Sequence, residues 1–369
     1  MCPNADPSPP LGGPPPPDAE ASSRRTPDAE ADALQLGTAG RKRAVAGALV
    51  TVLVGAGVWA IIGQGASFSR LSHAVQTAGP LWMVLAAAGS AIAYIGYALL
   101  YQAVCHVGGG PRPRLRLALR MTVAVFGAAV VATAAGRLGV EYWSMRKMRE
   151  QPALAVARVL TLNIALWAVL AALAALAGLV ALAEQASGVP RVVELVWLVV
   201  VPACALTAFV LSSPRRQGFA AGDGGRIRRT AAAVVHSLVL LRAVSSWRPL
   251  RVGGIAGALV YWVGQLLVVW AALRGFGVHI GYAAFVLGYA TGYASTILPL
   301  PFGGAGGVDA ATVYALTLVG VPLGPALLAT LVQRVLTYWL PLGVAILFVR
   351  ALRRLGRDLA VVPRPSSAL

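Results

Sequence analysis

From residue 44 onward the chain alternates between long apolar stretches and short runs of arginine. The apolar stretches fall at about 44–63, 81–104, 117–135, 153–183, 192–211, 253–273, 283–298 and 311–349, the last with a break at Gly320–Gly324. A helix needs about 20 apolar residues to cross a hydrocarbon core roughly 30 Å thick, so the pattern predicts an all-α polytopic membrane protein. The first 40 residues do not share it. They are rich in Pro, Ala, Asp and Glu, with PSPPLGGPPPP near the start, and have too little apolar surface to build a core. They predict a disordered tail, and with no apolar run behind a basic start they are not expected to be a signal peptide.

Composition agrees with this reading: 58% hydrophobic residues, 12% charged residues and a mean hydropathy of +0.73. The formal charge of +18 changes the picture only through its placement. Six of the 13 acidic residues lie in the tail, leaving the body with 29 basic and 7 acidic residues. The arginines sit in short loops beside apolar spans, where anionic lipid heads are the partner and nucleic acid is not.

These loops also orient the spans. Arg41, Lys42 and Arg43 place the N-terminus in the cytoplasm, and Arg112, Arg114, Arg116 and Arg120 mark the first return there. Arg146, Lys147 and Arg149 form a further basic cluster, yet only residues 117–145 lie between, too few for two crossings at about 20 residues each. The stretch therefore predicts a re-entrant hairpin turning near Ala134–Gly139. Loop 212–252 carries eight arginines and is expected inside, with an interfacial helix in AAAVVHSLVLLRAV. Arg350, Arg353, Arg354, Arg357 and Arg364 put the C-terminal tail, 358–369, inside as well. A second hairpin at about 283–320, opening to the opposite face, then satisfies the crossing parity. The expected domain, 41–357, has six full spans and two oppositely facing hairpins, an inverted repeat.

Candidate chemistry gathers at the hairpins. TGYASTILPLPFGGAGGVDA, residues 291–310, breaks an apolar segment with Pro299, Pro301 and the glycines Gly303, Gly304, Gly306 and Gly307, then presents Asp309. Broken backbone beside an ionisable group within the bilayer is the mark of a binding or transport site. The first hairpin holds Arg137 and Glu141, four apart and on one helical face, and the last span holds Arg334 with Tyr338 and Trp339 close behind. Each charge costs roughly 2.5–3.5 kcal/mol at the bilayer centre, so mutual pairing is expected. Such pairs are compatible with two structural pins, or with a pocket in which the arginines take a lipid phosphate and the carboxylates hold them. Gln102, Asn163 and Gln333 are candidate lining groups or interhelical glue, and Arg158, one turn inside its span, is expected to snorkel to the cytoplasmic surface. Cys2, Cys105 and Cys204 and the four histidines are scattered, and no catalytic, metal or cofactor motif is found.

At these residues the chain resembles the membrane region of the lysylphosphatidylglycerol synthase family, a flippase-like group. The resemblance is carried by Gly136, Arg137, Gly139 and Glu141. It is carried further by Leu298–Pro299 through Gly303–Gly304 and Gly306–Gly307–Val308–Asp309–Ala310, then Gly320–Val321 and Gln333 through Trp339. Two departures are Asp309, where the family has glutamate, and Val140, which separates the glycine from Glu141. The resemblance implies a bacterial inner-membrane protein that binds or translocates an anionic phospholipid or polyprenyl-linked lipid. It implies the translocating part alone, without a soluble aminoacyl transferase domain and so without lysine transfer. Two alternatives stay open: a membrane enzyme on a lipid-linked substrate, and a non-catalytic partner of a soluble transferase. A homo-oligomer is compatible with each.

Overall fold

The computed structural model describes residues 79–184, 188–211, 235, 237–240, 248–297, 305–347 and 349–363. The N-terminal tail, the first apolar stretch at 44–63, most of loop 212–252 and the tail beyond 363 lie outside the described residues. So do Pro299, Pro301, Gly303 and Gly304.

Among the described residues the only regular structure is helix: α1 (Pro80–His106), α2 (Leu115–Lys147), α3 (Pro152–Ala183), α4 (Arg191–Leu211), α5 (Arg248–Gly275), α6 (Tyr282–Ala294), α7 (Ala305–Leu318), α8 (Leu323–Arg334), α9 (Leu340–Leu347) and α10 (Val349–Ala360). Pro80 and Pro152 open α1 and α3, where a missing N–H is no loss. Segments 80–109, 152–183, 191–210, 253–275 and 323–347 are each long and apolar enough to cross a membrane. α5 starts at Arg248, a turn before the expected span, because Pro249 falls in the first turn, where a missing N–H is no loss.

The core is the antiparallel crossing of α1 and α5. Gly89 faces the Gly264 backbone and Gly96 faces Gly257 and Tyr261, so close that a Cβ at Gly89 would stand 2.9 Å from the Gly264 carbonyl oxygen and one at Gly257 2.7 Å from the Leu100 nitrogen. Between helices in lipid there is no water to expel, so close packing between small residues is what holds them. α4 is the opposite case: it rests on α3 and leaves Val192, Val199, Leu206 and Phe209 largely exposed, as a lipid-facing helix does.

α2 is helical over 33 residues but is not a straight rod. Phe126 and Glu141 would lie about 22 Å apart on one axis, yet the Tyr97 ring is 5.3 Å from that of Phe126 while its hydroxyl donates to Glu141. At the other end Arg120 pairs with Asp358 of α10 while Trp143 packs on Gly356 two residues away. Residues 115–129 and 136–147 therefore lie side by side. The first half runs antiparallel to α1, with Pro113 at Gln102 and Phe126 at Tyr94. The second runs parallel to it, through Tyr97–Glu141, Tyr101–Ser144 and Cys105–Met145.

α6 and α7 form a second antiparallel pair, Gly288 against Ala315 and Gly292 against Thr312. At 13 and 14 residues, neither reaches the roughly 20 needed to span. Gly320, with φ of 93°, turns the chain into α8, as the expected break there requires.

The last span is interrupted by a π-helical segment, Val335–Trp339, just before Pro341. Proline has no N–H for the carbonyl four residues back, Thr337, and its ring pushes that carbonyl away. Tyr94 of α1 donates to the carbonyls of Thr337 (3.1 Å) and Leu336 (2.6 Å), and Ser90 to Leu336 (3.0 Å). The distortion is thus held by its neighbour's hydroxyls.

Arg158 corrects one expectation. It does not snorkel: it is 2% exposed and its guanidinium donates to the carbonyls of Val104, Cys105 and Val107, with Glu150 at 3.8 Å. The last carbonyls of a helix have no partner within it, and α1 ends inside the protein, so a buried cation does the capping.

Candidate functional site

Two arginine–carboxylate pairs sit where the folded-back helices meet the spans. In the first, Arg137 and Glu141 occupy one face of the second half of α2, and Arg137 Nε donates to Glu141 Oε1 at 3.0 Å. Glu141 is fully buried and also accepts from the Tyr97 hydroxyl and from Asn163 Nδ2 (2.9 Å) of α3. Asn163 closes the set by accepting from Arg137 at 3.0 Å. The guanidinium stands 5.6 Å from the Tyr97 ring centre and 5.9 Å from that of Phe126. A buried carboxylate with three donors is well satisfied, and its counter-ion is pinned by charge, amide and ring together.

In the second pair Asp309 of α7 meets Arg334 at the end of α8, each side chain 17% exposed. Arg334 lies 4.8 Å over the ring of Tyr338, four residues on in the π-helical segment. Among the described residues Asp309 accepts from Arg334 alone. The two pairs have a common wall. Phe126, beside the Arg137 guanidinium, and Tyr338, beside that of Arg334, are 6.1 Å apart, and Tyr293 of α6 lies near both arginines. Tyr293 in turn packs on Trp262 (4.9 Å), Trp167 (5.3 Å) and Tyr289 (6.2 Å).

The four ionisable residues expected to pair do so, Arg137 with Glu141 and Asp309 with Arg334. Tyr338 lies under Arg334, while Trp339 is 59% exposed. Gly306 and Gly307 lie in the first turn of α7, three and two residues before Asp309. Gln333 reaches Tyr289 (2.7 Å) and Gln265 (3.1 Å) beside the second pair, whereas Gln102 donates to the Pro113 carbonyl and takes no part.

The aromatic wall of Tyr97, Phe126, Tyr261, Tyr289 and Tyr293, with Gln265 beside it, is not among the groups that the sequence motifs mark. A signal was present. Tyrosine in membrane helices favours the interfaces, yet Tyr94, Tyr97 and Tyr101 recur on one face in mid-span of α1, and Tyr289 and Tyr293 lie four apart in α6.

The family model described as lysylphosphatidylglycerol synthase TM region matches residues 44–345. The match covers most of the chain, which therefore belongs to that family and is a multi-pass membrane protein. No curated protein matches the chain.

Proposed function

Taking that membership as the premise, we propose that this protein binds an anionic lipid head group, of a phospholipid or a polyprenyl-linked lipid, at the two arginines and carries it between leaflets. The observation that supports this most directly is the convergence of two arginine pairs on one tyrosine-lined wall. Guanidinium forks match a phosphate, the rings exclude water from them, and the carboxylates keep them charged and oriented until a head group arrives. A purely structural pin would not need to keep part of both arginines accessible, as the 15% and 17% exposure of their side chains does.

The membrane arrangement is part of the proposal. Each site carboxylate lies on the second arm of a folded-back helix, α2 or the α6–α7 pair, and each such element is preceded and followed by a long apolar helix. Units 80–183 and 248–347 then repeat as span, hairpin, span, and the antiparallel packing of α1 on α5 points them in opposite directions. That is the pattern of an inverted repeat with half-inserted hairpins meeting mid-bilayer. The basic clusters beside the spans support a cytoplasmic position for both termini.

The test is reconstitution into vesicles containing fluorescent phosphatidylglycerol, with dithionite quenching of the outer leaflet. Wild-type protein is expected to expose the inner-leaflet probe, and Arg137→Ala and Arg334→Ala to slow that exposure at least tenfold. Wild-type rates in both variants would reject the site.

A further inference from the structure

The two pairs are not equivalent. Glu141 has no exposed surface and three donors from three helices. Asp309 keeps 17% of its side chain exposed and, among the described residues, accepts from a single group, Arg334. One pair is locked, and the other has a carboxylate that can let go. We infer that Asp309 is the proton-coupling group of the cycle: it takes up one proton when a monoanionic phosphodiester displaces it from Arg334, and returns that proton when the head group leaves.

The argument is one of charge in a low-dielectric cavity, and it rests on the phosphate-binding reading above. With the site empty, Arg334 and Asp309 sum to zero. If a phosphodiester joined them with Asp309 ionised, the pair would hold a net negative charge among Tyr289, Tyr293 and Tyr338, none of which carries a compensating cation. Buried uncompensated charge is what membrane interiors exclude most strongly. If Asp309 takes a proton from water on the open side, the loaded site is Arg334 with phosphate, again neutral, and the carboxylic acid can donate a hydrogen bond to a phosphate oxygen. No covalent bond changes. The proton moves from hydronium to Asp309 and back to water on the far side. The charged group facing Asp309 is Arg334; Tyr338 of the last span and Tyr289 and Tyr293 of α6 lie about Arg334, with Arg137 beyond Tyr293. Arg137 does not supply the missing charge because Glu141 already neutralises it.

The sign of the pH effect follows. The complex holds the extra proton, so affinity rises as pH falls, by about tenfold per pH unit wherever free Asp309 is ionised and bound Asp309 is protonated.

The test is calorimetric titration of short-chain phosphatidylglycerol into the full chain in neutral detergent, repeated in buffers of different ionisation enthalpy, with dimethyl phosphate as a second ligand. Both ligands keep one negative charge across the range, so proton uptake belongs to the protein. About one proton per lipid bound is expected. Asp309→Asn should bind with no proton uptake and a flat pH dependence, Asp309→Glu should restore both, and Glu141→Gln should change affinity while keeping the slope. The same count with dimethyl phosphate would place the coupling at the charged group itself, and binding of the lipid alone would assign it to the membrane-borne head group. Wild-type binding without proton uptake, or a slope kept in Asp309→Asn and lost in Glu141→Gln, overturns the inference while leaving lipid transport standing. No binding and no lipid movement overturns both.

Discussion

Glu141→Leu is the substitution whose consequence can be worked furthest. Glu141 is fully buried, and its removal leaves the Arg137 guanidinium without a counter-ion and the Tyr97 hydroxyl and Asn163 amide without an acceptor. Taking one partner from a buried pair costs roughly 3–5 kcal/mol, because the remaining charge stays desolvated. The stranded hydroxyl adds less than it would in a soluble core, since measured hydrogen bonds between membrane helices average about 0.6 kcal/mol. The sum is about 4 kcal/mol, on the order of a 5–10 °C fall in melting temperature. The double variant Arg137→Leu/Glu141→Leu removes both charges and offers apolar groups of similar size. It should be more stable than Glu141→Leu alone and within about 2 kcal/mol of wild type, a coupling of at least about 2 kcal/mol. Thermal unfolding in detergent, followed by tryptophan fluorescence, reads all four corners of the cycle. If Glu141→Leu melts within 1 °C of wild type, or the double variant loses the sum of the two single losses, the locked pair described above does not exist.

Other outcomes follow from particular contacts. Arg158→Leu strands three carbonyls at the end of α1 and takes a nearby cation from Glu150, so loss of folded protein in detergent chromatography is expected, with Arg158→Lys intermediate because an ammonium cannot span the same fork. Gly257→Leu puts a side chain where a Cβ would already stand 2.7 Å from the Leu100 nitrogen. It should abolish folded yield, whereas Gly253→Ala, with only the Ala103 methyl at 3.8 Å, should be tolerated. Tyr94→Phe withdraws the donor that serves the π-segment carbonyls and should cost about 1 kcal/mol of thermal stability while slowing lipid movement more than a neutral core change does. Single cysteines at positions 125, 145, 290 and 320 should label in the paired pattern of half-inserted hairpins, 125 and 290 shielded and 145 and 320 reached from opposite faces. Labelling of 145 and 320 from the same face would remove the inverted repeat.

Local chemistry alone sufficed for the helices, the break at Gly320, and the pairing of Arg137 with Glu141, because each depends on residues within a few positions: an unbroken apolar run, a glycine able to adopt positive φ, two side chains one turn apart. Other features depend on neighbours distant in the chain. Arg158 looked like a surface arginine until α1 ended beside it with carbonyls to satisfy. The aromatic wall comes from α1, α2, α5, α6 and the π-segment, and no periodicity within one helix announces that their rings will meet. The difference between a locked Glu141 and a yielding Asp309 is likewise invisible in two short motifs with similar glycines. It arises because Tyr97 and Asn163 reach the first carboxylate from two other helices, and hydrogen-bond partners are distributed by packing.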